Sequence, residues 1–320
     1  MDAVHIVGAG GIGCTIGYAL RSAGASVTFV DVNRKKVEAG RRDGVRLDDR
    51  PGLPAEFVHF DDWSAPESAT VLLCTKCYDN AAVLAKLPDD ANLIPIQNGF
   101  DIQLDSRSHR LEGIASFVAK CELDVPQSRI TRRGDLHFGP RHGRPPVTTS
   151  GLLRSSFFPV IPIPAIAPIK YAKLMYNAAI SPLAAAAGID NGQLLSVPRA
   201  RRLFFGLLQE NYRILAANGI ALGKVGPFHP RTVAWILRRK WLARFMARAF
   251  EPSLRGTYCS MAGEIQKGRT ELDNYNGQLL LLAEKTGTPC PLNRAVYDLV
   301  SRMTAERAMP HLDVLNELPQ

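Results

Sequence analysis

The sequence predicts an α/β N-terminal domain built on a doubly wound parallel sheet, followed by an all-α C-terminal domain. Short apolar strands alternate with helical stretches through roughly the first third of the chain, a glycine-rich turn separates the first strand from the first helix, and the pattern beyond Ile169 is helical nearly to the end. Residues 3–8 read as a strand, 11–23 as a helix rich in small residues and 26–31 as a second strand. A helical segment over 34–40 and buried strands over 69–75 and 92–96 follow. Right-handed crossovers between such strands place their C-terminal ends along one edge, where ligands bind in sheets of this kind. From 113 to 139 the pattern is strand-like, Pro145 and Pro146 mark a break, and 157–168 suits an extended crossing between domains. The boundary falls near residue 165, giving domains 1–165 and 166–320.

The 39 Lys and Arg against 30 Asp and Glu leave a formal net charge of +9. Such an excess attracts anions of many kinds without selecting one, and the reading adopted is a solvated basic surface suited to an anionic cofactor and substrate. No nucleic-acid or membrane partner is expected, since no apolar run reaches the roughly 18 residues that a membrane helix needs. Six cysteines spread over a long chain without a secretory leader read as reduced thiols, hence a cytoplasmic setting.

Residues Gly8, Ala9, Gly10, Gly11, Ile12 and Gly13 form a G-x-G-x-x-G turn between the first strand and first helix. The first glycine permits the tight turn, the second lets a pyrophosphate approach the backbone, and the third lets helix and strand pack closely. The phosphates then meet the N–H groups of the helix N-terminus. This context makes 1–165 a Rossmann-type dinucleotide-binding domain. Asp31 ends the second strand 23 residues after Gly8, where an acid holds the adenosine ribose hydroxyls. A carboxylate there favours NAD(H), although Asn33, Arg34, Lys35 and Lys36 follow and a basic side chain among them would suit the phosphate of NADP(H).

Four separated segments resemble the ketopantoate reductase (2-dehydropantoate 2-reductase) family. They are the glycine turn; Cys74-Thr75-Lys76 after the third long strand; Ile96-Gln97-Asn98-Gly99 after the next; and a helical group running from Lys173 through Asn177 and Ser181 to Leu183, then Ser260-Met261, then Gly268 to Asp273 with Asn276-Gly277. The resemblance implies that Lys173 is the catalytic lysine that protonates the substrate carbonyl oxygen, that Asn177 binds substrate, and that Ser260 grips its carboxylate. It implies that Glu271 lies near the cofactor ribose and the lysine, and that Lys76 and Asn98 contact cofactor and substrate where the domains meet. Two departures stand out. Ser181 occupies a place where the family often has asparagine, which leaves the substrate open, and Asp31-Val32 stands where NADP-binding members often carry arginine.

The chemistry is consistent with these roles. Hydride addition to a ketone makes an alkoxide whose charge must be met by a proton or cation placed in advance. A lysine, with an ordinary pKa of about 10.4, supplies both. Lys173, Asn177 and Ser181 are spaced four apart, so cation, amide and hydroxyl project from one helix face. Pro182 makes a kink at Ser181 a reasonable expectation. Thr270 and Asp273 have the spacing of a capping box, which places Glu271 in a first turn where the helix dipole complements its charge.

Other signals are discounted. Cys74 and Cys77 form a CxxC without a second pair at zinc spacing, no metal site is expected, and a redox role there is a minor alternative. The basic run at 231–250, interleaved with Trp235, Trp241 and Phe245, reads as a helix packing its apolar side on the domain, with contact in a homodimer as the next alternative. The sequence therefore points to an NAD(P)H-dependent oxidoreductase reducing 2-dehydropantoate, or a closely related 2-keto acid, to the 2-hydroxy acid. The alternatives are a relative acting on a different keto or imino acid in a specialised pathway, and a non-catalytic dinucleotide-binding redox sensor.

Overall fold

The computed structural model describes residues 3–66, 68–142 and 157–319. The chain divides into two compact units, Met1–Ile166 and Ala167–Gln320.

In the first unit the strands are β1 (Val4–Val7), β2 (Val27–Asp31), β3 (Arg46–Leu47), β4 (Glu56–His59), β5 (Thr70–Leu73), β6 (Asn92–Pro95), β7 (Leu111–Ala115), β8 (Val118–Cys121), β9 (Gln127–Arg132), β10 (Leu136–Pro140) and β11 (Val160–Pro162). Its helices are α1 (Gly11–Ser22), α2 (Arg34–Asp43), α3 (Asn80–Leu84) and α4 (Ile102–Asp105). Strands β4-β2-β1-β5-β6 form a sheet that is parallel throughout. Their runs of Val, Ile, Leu and Phe are buried on both faces, as a sheet covered on both sides requires. Growth of the sheet reverses at β1: the chain builds outward through β2 and β4, then returns to add β5 and β6 on the other side. The loops after β1 and β5 therefore border the switch point, where such sheets leave a crevice. Two three-stranded sheets, β11-β10-β7 and β3-β9-β8, complete the unit, and the second packs against α1.

Two local expectations in this unit need correction or placement. The stretch 157–168 is not a free crossing: Val160–Pro162 pairs in parallel with β10, and Ile166 N–H donates to the Pro140 carbonyl at 3.0 Å. Backbone pairing to a distant strand decided this, and no local pattern reports it. The expected break at Pro145 and Pro146 lies outside the described residues.

The second unit contains α5 (Ala167–Ala187), α6 (Gln193–Ser196), α7 (Pro198–Ala217), α8 (Pro230–Leu237), α9 (Lys240–Leu254), α10 (Gln278–Thr286) and α11 (Pro291–Glu306). A π-helical turn, Asp273–Gly277, leads into α10. No helix among the described residues is long and apolar enough to cross a membrane.

Helix α5 runs continuously through Pro182, the position beside which a kink at Ser181 is expected from the sequence. Proline has no N–H to give the carbonyl four residues back, that of Ala178. Here Asn276 Nδ2 donates to that oxygen at 3.0 Å, from the π turn. The same amide reaches Asn293 Oδ1 at 3.0 Å, Asn293 Nδ2 donates to Asn211 Oδ1 at 2.7 Å, and Asn211 Nδ2 donates to the Met175 carbonyl at 2.9 Å. Glu210 closes the network by accepting the backbone N–H groups of Leu292 and Asn293 at the start of α11, a favourable place for a carboxylate. All four side chains are buried.

The run at 231–250 forms two helices that pack one apolar side and leave their charges exposed, as expected, but that side does not include the large aromatics. Ala234, Leu237, Ala243 and Ala247 form the buried stripe, while Trp235, Trp241 and Phe245 are 50, 72 and 64% exposed. The Arg239 guanidinium lies 3.8 Å from the Trp235 ring centre. Helical spacing puts the small residues and the aromatics on different faces, and only the small ones fit close packing.

Replacing Asn276 by Ala strands the Ala178 carbonyl in the interior. We expect a loss of about 1–3 kcal/mol, read as a lower urea midpoint. An unchanged midpoint would show that the proline gap needs no partner.

Candidate functional site

Each glycine of the 8–13 turn answers a different demand. Gly8 has φ +99°, and a Cβ there would lie 2.8 Å from Thr75 N and 2.9 Å from the Cys74 carbonyl carbon, so the turn is wedged against the exit of β5. At Gly13 a Cβ would lie 2.0 Å from Gly8 O, which holds α1 directly on the turn. Gly11 faces the Ala119 carbonyl of β8 just as tightly, at 2.2 Å. Gly10 is the exception, with nothing within 4 Å of its Cβ position. It is the N-cap of α1 and has no side chain to occupy the N–H groups of the first turn. An open approach to a helix N-terminus fits a pyrophosphate.

The turn is gripped at Ala9. Asp31 Oδ2 accepts the Ala9 N–H at 2.9 Å, and Oδ1 accepts the Asn33 N–H at 2.9 Å. Lys36 Nζ donates to the Ala9 carbonyl at 3.1 Å. Asp31 thus anchors the glycine turn besides standing where a ribose-binding acid stands. The basic run divides: Lys36 is buried on the turn, whereas Arg34 and Lys35 are exposed, lying 3.7 Å from Asp61 and 3.7 Å from Asp124 respectively. Asn33 caps α2 by accepting the Lys36 N–H.

Lys76 and Asn98 follow β5 and β6 at the same sheet edge, both half-buried. Gln97, buried between them in sequence order, ties the two loops. Its Nε2 donates to Thr75 O at 2.8 Å and Asn80 Oδ1 at 2.7 Å, and its Oε1 accepts from Asn80 Nδ2 at 3.1 Å. Asn80 in turn donates to Asp101 Oδ2 at 2.7 Å. Gln97 stands in the Ile96–Gly99 segment, whose sequence alone does not show this role. Its amide flanked by polar loop residues was the available signal.

In the second unit Lys173, Asn177 and Ser181 share one face of α5, the first two half-buried and Ser181 buried. Burial pushes the Tyr176 phenol, also on this helix, up to about 12. Ser260 is exposed on the loop after α9, and its neighbour Cys259 has Sγ 3.5 Å from the Ser181 carbonyl, so that loop lies beside the lower end of the stripe. Glu271 is buried and accepts the Tyr275 hydroxyl at 3.1 Å. The capping box is not formed. Thr270 Oγ1 accepts the Leu272 N–H at 3.4 Å, while Asp273 Oδ1 accepts the Tyr297 hydroxyl at 2.5 Å. A tertiary partner on α11 outcompetes the local bond. The π turn bearing Tyr275 and Asn276 joins Glu271's segment to α5 at Ala178, next to Asn177. Sequence reasoning missed Tyr275 as a partner of Glu271; their i,i+4 spacing was the signal.

Fold and glycine turn together define the class, a protein with a dinucleotide-binding type of fold. Comparison with known proteins gives the family. Residues 4–137 match the ketopantoate reductase PanE/ApbA model, and residues 165–304 match the ketopantoate reductase PanE/ApbA C-terminal model. The chain belongs to the ketopantoate reductase family. It is 25% identical to the 2-dehydropantoate 2-reductase of Archaeoglobus fulgidus, over 93% of this chain and 96% of that protein. Among solved structures it resembles a PanE/ApbA family ketopantoate reductase from Ralstonia eutropha, with TM-score 0.76 and 23% identity over 95 and 99% of the two chains. It also resembles D-mandelate dehydrogenase in a ternary structure with NADH and anilino(oxo)acetate, with TM-score 0.75 and 17% identity over 95 and 99%.

Asp31→Ala leaves the Ala9 and Asn33 N–H groups without their carboxylate. The cofactor-free protein is expected to lose about 1–3 kcal/mol, measured by urea unfolding. Full retention of stability would restrict Asp31 to ligand binding.

Proposed function

We propose that the chain reduces 2-dehydropantoate to the 2-hydroxy acid, with a nicotinamide dinucleotide held on the Gly8–Gly13 turn and with Lys173 as proton donor. The single observation that carries this reading is the match to one reductase family along both units, coupled with the Lys173–Asn177–Ser181 stripe on α5. The dinucleotide, when bound, supplies the hydride. The open N-terminus of α1 at Gly10 would receive its pyrophosphate, with Ala9, Gly11, Ile12 and Gly13 shaping the cradle. Asp31 would take the ribose hydroxyls, and Lys76 and Asn98 would line the cofactor at the sheet edge.

On the substrate side, Lys173 Nζ donates a proton to the carbonyl oxygen as negative charge grows there. Asn177 and Ser181 hold the polar groups of the substrate, and Ser260 its carboxylate. Glu271, steadied by Tyr275, keeps Lys173 charged and oriented and borders the ribose. Such placement in advance is worth more than binding strength, because only interactions that tighten in the transition state accelerate the step.

For the cofactor we propose NAD(H), since the Asp31 carboxylate would repel a 2′-phosphate. Exposed Arg34 and Lys35 beside it favour NADP(H) as the second reading. A different 2-keto acid is the second reading for the substrate, favoured by the shorter Ser181 side chain and by the likeness to D-mandelate dehydrogenase. We assign the enzyme to the cytoplasm as a homodimer, with the exposed aromatics of α8 and α9 as candidate contact.

The test is a spectrophotometric assay of 2-dehydropantoate with NADH and NADPH in parallel. Turnover with a higher kcat/KM for NADH is expected. Turnover with NADPH alone would overturn the cofactor assignment, and none with either would overturn the substrate.

A further inference from the structure

The inner side of the glycine turn carries two thiols. Cys14 closes the first turn of α1 and Cys121 ends β8. Cys14 Sγ lies 3.2 Å from the Ala9 carbonyl oxygen, and Cys121 Sγ lies 3.5 Å from the same atom. Both sulfurs thus sit against one oxygen atom as near neighbours. Lys36 Nζ, which also donates to Ala9 O, is 3.7 Å from Cys121 Sγ. Side chains from α1, α2 and β8 thus converge on one carbonyl of the turn.

The two sulfurs are unequal. Cys14 is fully buried, whereas Cys121 is half-buried. The neighbouring Cys14 thiol holds the Cys121 thiol below its ordinary range, and the Lys36 ammonium acts in the same direction. The neighbouring Cys121, together with burial, pushes Cys14 well up. This is the pairing of an attacking thiolate with a resolving thiol. The CxxC that draws the eye in the sequence lacks it: burial pushes Cys74 up to about 12, and Cys77 Sγ lies 3.9 Å from the Gln97 amide oxygen.

We propose that Cys14 and Cys121 form a redox-sensitive pair, in which peroxide converts them to a disulfide behind the glycine turn. The Cys121 thiolate attacks one peroxide oxygen; the S–O bond forms, the O–O bond breaks, and hydroxide leaves to be protonated to water. The Cys14 sulfur then attacks the Cys121 sulfenic sulfur. The S–S bond forms, the S–O bond breaks, and a second water leaves with the Cys14 proton. Two thiols are oxidised and one peroxide is reduced to two waters. The bridge brings the sulfurs to about 2.05 Å, removes both thiol donors from Ala9 O and removes a partner from Lys36. The turn is thereby altered from behind. Bridge formation stands apart from the reductase reading; its effect on dinucleotide binding rests on that reading.

The experiment treats the full-length protein with hydrogen peroxide, alkylates remaining thiols, and analyses peptides by mass spectrometry. A Cys14–Cys121 cross-link lighter by two hydrogens (about 2 Da) and reversed by dithiothreitol is expected. Cys14→Ser should instead leave a sulfenic acid on Cys121 that dimedone traps. Recovery of both residues as alkylated thiols, or of Cys121 oxidised further without a bridge, would overturn the pair. NADH binding by fluorescence should be about tenfold weaker in the oxidised protein than in the reduced, on the order of one lost hydrogen bond. Equal affinity would overturn the coupling to the turn. Binding of neither NADH nor NADPH by the reduced protein would defeat the dinucleotide reading, while the mass measurement still decides the bridge.

Discussion

A proline in the middle of α5 leaves one buried carbonyl without its helical donor, and the way the second unit answers that gap arranges its chemistry. The Asn276 amide that fills it belongs to the π turn just after Glu271. The bond therefore anchors the acid-bearing segment at Ala178, one residue past Asn177 on the lysine-bearing helix. Asn293, Asn211 and Glu210 extend the same network to α7 and α11. Buried amides in such a chain have few alternative arrangements, because each lost partner strands another polar group. A π turn at this place is in keeping with the tendency of these irregularities to occur at functional sites.

The first unit solves a similar problem on a smaller scale. A glycine turn open to a ligand has little side-chain packing of its own to hold its shape. Here Ala9 is gripped by a carboxylate on its N–H and an ammonium on its carbonyl. Asp31 and Lys36 therefore hold the turn in shape without a ligand, and a preformed turn lowers the ordering cost of any binding there. Two thiols also lie against the Ala9 carbonyl, so the same atom of the turn meets a lysine and two cysteines.

What was legible in the sequence was what depends on neighbours along the chain. The strands over 26–31 and 92–96 follow from short apolar runs, and the roles of Gly8 and Gly13 follow from spacing alone. What was hidden depends on distant partners. Val160–Pro162 became a strand because β10 offered an edge. Helix α5 passed through Pro182 because Asn276 stood ready. Asp273 turned from Thr270 to Tyr297, and Cys14 and Cys121, far apart in sequence, came together at the Ala9 carbonyl. The aromatics at 235, 241 and 245 looked like a packing face because they are apolar, yet alanines at the neighbouring positions allow the closer approach. Lys173 was picked out by resemblance, since a lysine among apolar neighbours more often extends its charge to water.

The central claim is that the Lys173 ammonium protonates the substrate. Its most direct test is Lys173→Ala, with kcat and NADH affinity measured on the same preparation. The account predicts a fall in kcat of roughly 10²–10⁴, the range for loss of a positioned proton donor, with NADH affinity nearly kept. An unchanged kcat would contradict it.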